Sequence, residues 1–298
     1  MKIKVSALID VGKVRDNNED ALVCCSDLSQ QNWSDGNHNS AAYELLGNLG
    51  ALLVVADGMG GVNAGEVASS LAVNTVKEHF SIHPVQEALA SGNDGIVAFL
   101  KDAIAKAADV INQRMATDPE TEGMGTTIVI CWILQDGQAH IAWCGDSRTY
   151  LYNQTEGLRR LTKDHSLVQE LVDSGEITEE EAFYHPDNNI ITCGLGGYEM
   201  YPVPDIVTCD LKPNDAIMLC SDGLCGYCTD QDIKRVFDAE HINTDNCCKK
   251  MLDRALEAGG EDNIAIVMAS FIDDNQEEPM EATHSGLGTF FKKLFGSH

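Results

Sequence analysis

The stretch "ALLVVADGMGG" at residues 51–61 constrains this chain more than any other. Six apolar residues run together without polar alternation, then stop at one carboxylate, Asp57, followed by a backbone that is mostly glycine. An unbroken run of this kind predicts a thoroughly buried strand inside a layered fold. An acid at its tip, with little side chain around it, is open to whatever approaches. A lone Asp-Gly after a strand is usually a turn. Here the pattern recurs: Asp146 follows "AHIAWCG", Asp222 follows "AIMLCS", Glu19-Asp20 precede "ALVCC" and Asp262 precedes "NIAIVMASF". Antiparallel pairing puts the end of one strand beside the start of the next, so these acids are expected on one rim.

Converging carboxylates repel one another and are costly to keep ionised without cations among them. Hard divalent ions, Mg²⁺ or Mn²⁺, suit an all-oxygen donor set. Asp57 is the natural bridging ligand, with the Gly58 carbonyl beside it. Two such ions about 3.5–4 Å apart would hold a hydroxide between them for in-line attack on phosphorus. Arg15 lies four residues before Glu19, where a guanidinium can grip phosphoryl oxygens as a fork.

Composition narrows the alternatives. The net charge of −27 disfavours a nucleic-acid partner, since an acidic surface repels phosphate backbones. No apolar run of about 18 residues occurs, so no membrane span is expected. Residues 1–20 lack the long apolar core of a secretory signal. Of eleven cysteines many stand in apolar strand contexts, consistent with reduced thiols and a cytoplasmic setting. Cys225 and Cys228 form a lone C-x-x-C, a weak zinc or redox signal without a second pair.

Along the chain, strands are read at "KIKVSALIDV", "DALVCC" and "ALLVVA", with residues 26–40 as an exposed loop. Helical spacing follows at residues 65–80 and 95–116, the latter with Ile96, Leu100, Ile104, Ala107, Ile111 and Met115 on one stripe. "TTIVICWIL" and "AHIAWC" form a hairpin around Asp136-Gly137, and a second hairpin turns near Gly157. Residues 164–200 read as an inserted flap with two short helices, the second opening on a Thr178–Glu181 capping box. Two further helices follow, the last capped by Thr244 and ended by Gly259, before a closing strand. Hairpins and paired helices, rather than strict β-α-β alternation, argue an α+β fold with mainly antiparallel sheets. The "FFKKLF" at 290–295 is too short for a stable amphipathic helix, so a loosely ordered tail is expected from 273 to 298.

The ordered set "VRDNNEDA", "VVADGMGG", "GMGTT", "CGDSRTYL", "LTKDHS", "HPDNNIIT", "LCSDGL" and "GGEDNIAIV" resembles the motifs of the metal-dependent serine/threonine phosphatases, the protein phosphatase 2C-like family in its bacterial form. The resemblance covers residues 1–272, which it implies are a catalytic domain. It implies a central β-sandwich flanked by helix pairs, with the flap shaping access to a cleft. It also implies hydrolysis of phosphoserine and phosphothreonine on proteins by attack of a hydroxide bridging two Mn²⁺ or Mg²⁺ ions. By the same resemblance, Asp57 and Gly58 hold both metals, Glu19 holds a metal-bound water, and Asp20 supports the site. Asp222 and Asp262 hold the second metal, and Asp146 with Asp222 forms a third, weaker site. Arg15 binds the substrate phosphate. Phosphoproteins are the implied partners, together with an opposing serine/threonine kinase or its targets.

Two departures stand out. Met59 occupies a place where many eukaryotic members have histidine, and Cys193, in "TCGLGG", stands where arginine is common. Two rival functions remain at this point: a non-catalytic phosphoprotein-binding module, whose mark would be missing acids, and a phosphatase for small phosphoesters. The acids and Arg15 are all present.

Overall fold

The computed structural model describes residues 1–60, 64–197 and 202–275. The chain opens with β1 (Lys2–Asp10) and β2 (Asp20–Cys25), adds short edge pieces β3 (His38–Asn39) and β4 (Glu44–Leu45), and returns as β5 (Ala51–Met59). Helices α1 (Gly65–His79), α2 (Ile82–Ala90) and α3 (Gly92–Thr117) follow. Next come β6 (Gly125–Thr126), β7 (Ile128–Ile133), β8 (Gln138–Cys144), β9 (Arg148–Asn153) and β10 (Gly157–Arg160). The flap region carries α4 (Leu167–Ser174), α5 (Glu179–Phe183) and β11 (Leu195–Gly196). The chain then runs through β12 (Asp205–Asp210), β13 (Asp215–Cys220), α6 (Asp222–Cys225), α7 (Asp230–Glu240), α8 (Thr244–Glu257) and β14 (Ile264–Ile272).

These strands form two seven-stranded sheets, and every pairing in them is antiparallel. One runs β10-β9-β13-β14-β1-β3 with β4 also on β1; the other runs β11-β6-β5-β7-β8-β12 with β2 on β5. The period-2 pleat of β5 explains its unbroken apolar run. Leu52, Val54 and Ala56 face the α1–α3 layer, while Ala51, Leu53 and Val55 face the opposite sheet. Each fully buried Val or Leu contributes about 1.5–3 kcal/mol, so this strand is a main anchor of both layers. A third core lies between the first sheet and α6–α8, built on Met218, Ile266, Phe237 and Met251. The result is the expected α-β-β-α stack.

The structure differs from the sequence reading in three places. Part of the stretch taken as a free loop is pinned to the sheet: β3 pairs with β1, and Cys24 and Ser34 exchange backbone hydrogen bonds. A helix not anticipated, α2, carries Pro84 at its third residue, within the first turn where a missing N–H costs nothing. Helix α8 is capped by Asn243 rather than Thr244, the Asn243 side chain accepting from the Asn246 N–H, and its C-cap is Ala258, just before Gly259. In keeping with the weak signal of a lone C-x-x-C, Cys225 and Cys228 are both buried in the apolar core around α6. The expected capping box at Thr178–Glu181 is present. Beyond residue 275 the tail, including "FFKKLF", lies outside the described residues, as do residues 198–200 of the flap.

Candidate active site

The acids meet at one end of the sandwich, drawn from both sheets. β2 and β5 are registered so that Asp20 stands directly opposite Asp57. Gly58 N–H donates to the Glu19 carbonyl at 3.1 Å, locking the two strand ends together. Glycine is required here: a Cβ on Gly58 would collide with the carbonyls of Gly65 and Glu19. Asp57 is further fixed through its backbone. Its N–H donates to Thr127 Oγ1 at 3.0 Å, and its carbonyl accepts from Thr127 N–H (2.9 Å) and Thr126 Oγ1 (2.8 Å). Thr127 in turn hydrogen-bonds Ser147 Oγ at 2.8 Å, tying the turn that carries Asp146 to the strand that carries Asp57.

The other sheet delivers Asp222, the first residue of α6 after β13, and Asp262, just ahead of β14. Two side chains join them to the Glu19-Asp20 segment. The fully buried Ser221 hydroxyl donates to Asp20 Oδ2 at 2.6 Å and accepts from Ala265 N–H at 2.9 Å. Asn263 accepts from Glu19 N–H at 2.7 Å and donates to the carbonyls of Val11 (3.0 Å) and Asn17 (2.9 Å). Sequence reasoning missed Ser221, Asn263, Thr127 and Ser147. The only local sign of each was its place next to one of the acids or motifs.

Asp57, Asp146 and Asp222 are half-buried, so solvent still reaches them. Burial raises all three carboxyls above the usual range, and neighbouring carboxylates raise Asp57 and Asp146 further. Asp57 and Asp222 act on each other most strongly among the neighbouring acids, and two carboxylates so placed are costly to keep ionised together without cations. Asp20 is likewise raised, by burial first, against the opposing pull of the Ser221 hydrogen bond.

The nearby positive charges are already committed. Arg15 pairs with Asp262 at 2.9 Å, so two residues expected to serve phosphate and metal separately are joined to each other. Arg15 stays half exposed at the rim and has further N–H donors. Arg148 is largely buried and grips Asp164 at 2.6–3.1 Å, tying "GDSR" to "TKDH".

This donor set fits divalent cations. It is all oxygen, solvent-reached, and richer in acid than its arginines can balance. Among the described residues no three His, Cys, Asp or Glu side chains form a ready-made metal cage. Acids arranged in pairs suit Mg²⁺ or Mn²⁺, which keep several waters of their own.

Comparison with known proteins agrees in kind. The sequence pattern of Protein phosphatase 2C matches residues 35–258. The serine/threonine protein phosphatase PstP of Mycobacterium tuberculosis is 33% identical over 91% of this chain, which spans only 45% of that relative's length. The serine/threonine phosphatase stp of Listeria monocytogenes is 32% identical over 87% of this chain and 92% of its own. A crystal structure of the PstP catalytic domain, in complex with two manganese ions, superposes with a TM-score of 0.70 at 30% identity, covering 91% of this chain and 99% of that one.

Proposed function

The chain belongs to the protein phosphatase 2C family, and from that premise we propose that it is a metal-dependent phosphatase acting on phosphoserine and phosphothreonine in proteins. The observation that carries the reading is the register that sets Asp20 opposite Asp57 in one sheet, with Asp222 brought close to Asp57 from the end of a strand of the other, at a place short of positive charge. Asp57, the Gly58 carbonyl, Glu19, Asp20, Asp146, Asp222 and Asp262 are the residues we assign to two Mn²⁺ or Mg²⁺ ions and a third, weaker one. Bound there, such ions lower the pKa of water to near neutrality and neutralise charge on a phosphoryl group.

The remaining work falls to the chain. Arg15, exposed at the rim, docks a phosphoryl oxygen pair with the donors not used by Asp262. The bonds among Ser221, Asn263, Thr127 and Ser147 hold the acids in register, so that little reorganisation accompanies the reaction. Water oxygen adds to phosphorus in line, one of its protons passing to solvent, as the serine or threonine oxygen departs with the electrons of the P–O bond. Met59 has no proton to give, so the departing oxygen takes one from solvent in the cleft. Residues 164–200 form the flap beside this cleft and residues 1–272 the catalytic unit.

Among the described residues no helix is long and apolar enough to cross a membrane. We place the activity in cytoplasmic signalling, opposing a serine/threonine kinase. The test is phosphate release from a phosphothreonine peptide with Mn²⁺, with Mg²⁺ and after chelation. Release that needs the metal supports the reading; release unaffected by chelator overturns it.

A further inference from the structure

Arg15 and Asp262 are brought together by the backbone around them, not by a chance meeting of two surface side chains. The segment between β1 and β2 that carries Arg15 is fastened to the loop ahead of β14 that carries Asp262. Lys13 N–H donates to the Gly260 carbonyl at 2.7 Å, and the Lys13 ammonium donates to the Leu256 carbonyl at 2.6 Å. Gly12 lies so close to this loop that a Cβ on it would collide with the carbonyls of Asp262 and Gly260. The Asn263 amide donates to the carbonyls of Val11 and Asn17, one on each side of Arg15 in the chain. Within that frame Arg15 Nη2 donates to Asp262 Oδ2 at 2.9 Å.

The other oxygen of Asp262 has a partner of its own. Oδ1 accepts from Asn263 N–H at 2.9 Å, and Asn263 is buried and held on both sides. The orientation of Asp262 therefore does not depend on Arg15. What the guanidinium supplies to this carboxylate is charge, at a place where both residues remain partly open to solvent.

We propose that Arg15 couples the phosphate and cation sites through Asp262, its guanidinium holding down the cation affinity of that carboxylate until a phosphoryl group shares the charge. The inference rests on the phosphatase reading of the site and assigns a regulatory role to one of its residues.

A guanidinium and a divalent ion are both drawn to the Asp262 carboxylate and repel each other across it, so each weakens the other's hold. Arg15 has five N–H donors, and Asp262 takes one of them. A phosphate monoester on the remaining donors brings a charge of about −1.5 to −2 at neutral pH, more than the guanidinium carries. Asp262 then meets the cation less opposed. By linkage, phosphate tightens the cation by the same factor as the cation tightens phosphate. Direct attraction between phosphate and cation survives the loss of Arg15; the share carried through Asp262 does not.

The test is calorimetric titration of Mn²⁺ into the chelator-stripped full chain at low ionic strength, with and without inorganic phosphate. Wild type, Arg15→Ala and Arg15→Lys are compared. Without phosphate, Arg15→Ala should bind Mn²⁺ about two- to fivefold more tightly than wild type, the range of an exposed ion pair. Arg15→Lys keeps the charge beside Asp262 and should bind as wild type does. Phosphate should tighten Mn²⁺ by a larger factor in wild type than in Arg15→Ala. A residue that merely positioned Asp262 would give the opposite sign, with weaker Mn²⁺ binding in Arg15→Ala. That result, or unchanged Mn²⁺ affinity with an undiminished phosphate effect, overturns the proposal. Phosphate release from a phosphothreonine peptide, measured on the same wild-type sample, separates the two readings. Release without the predicted shifts overturns the coupling alone; the shifts in a chain that releases no phosphate support the coupling and count against the phosphatase reading.

Discussion

Ser221→Ala removes one oxygen that serves two sheets. The hydroxyl donates to Asp20 Oδ2 and accepts from Ala265 N–H, and the residue is fully buried. An unsatisfied buried N–H costs about 1–3 kcal/mol, and a hydrogen bond to a charged group contributes about 1.5–3 kcal/mol. Because one atom makes both bonds, the two costs are not simply additive. An overall loss of about 3 kcal/mol is expected, or roughly 5–10 °C in Tm. Losing the donor also raises the Asp20 carboxyl further, since that bond is what opposes its burial. Cation binding then competes with a more tightly held proton, so half-activation by Mn²⁺ should move to higher concentration. The assays are denaturant melts of wild type and variant with Mn²⁺ present, and phosphate release against Mn²⁺ concentration. A variant within about 0.5 kcal/mol of wild type, at unchanged Mn²⁺ requirement, would refute the reasoning from this bond.

Arg15→Ala should mainly raise KM for a phosphopeptide, because the guanidinium contacts substrate phosphate at an exposed rim; an unchanged KM removes that role. Arg148→Ala leaves Asp164 without its partner in a largely buried place, and a loss of about 3–5 kcal/mol should appear in equilibrium melts. Stability without metal should fall as pH rises. The carboxyls of Asp20, Asp57 and Asp146 hold their protons to higher pH in the folded chain than in the unfolded one. From about pH 4 upward the folded state therefore binds more protons, and its advantage is lost as those carboxyls ionise. Melts in chelator at pH 5 and pH 8 check this: Tm should be lower at pH 8, and saturating Mn²⁺ should remove the difference. A Tm that rises with pH in chelator contradicts it.

The sites of Asp57, Asp146, Asp222 and Asp262 were legible because each acid ends or begins an apolar run, and antiparallel sheets gather such ends. The two sheets and most helices were legible for the same reason: period and turn residues are local signals. Ser221 and Asn263 were not. Their partners, Asp20 and Asn17, are some two hundred residues away, and a serine or asparagine beside a motif gives no sign of which distant strand it will face. β3 is two residues long in a polar stretch, held by β1 rather than by its own propensity. Cys193 was visible as a departure, but its place in the apolar cluster beneath the α1–α3 layer depends on how the flap folds back.

The central claim is that Asp57 holds divalent cations whose presence makes the chain a phosphatase. Calorimetric titration of Mn²⁺ into chelator-stripped wild type and Asp57→Asn, each then assayed for phosphate release from a phosphothreonine peptide, tests it most directly. The account predicts Mn²⁺ binding and turnover in the wild type, and loss of both in a variant that melts normally. Normal turnover in Asp57→Asn would contradict it.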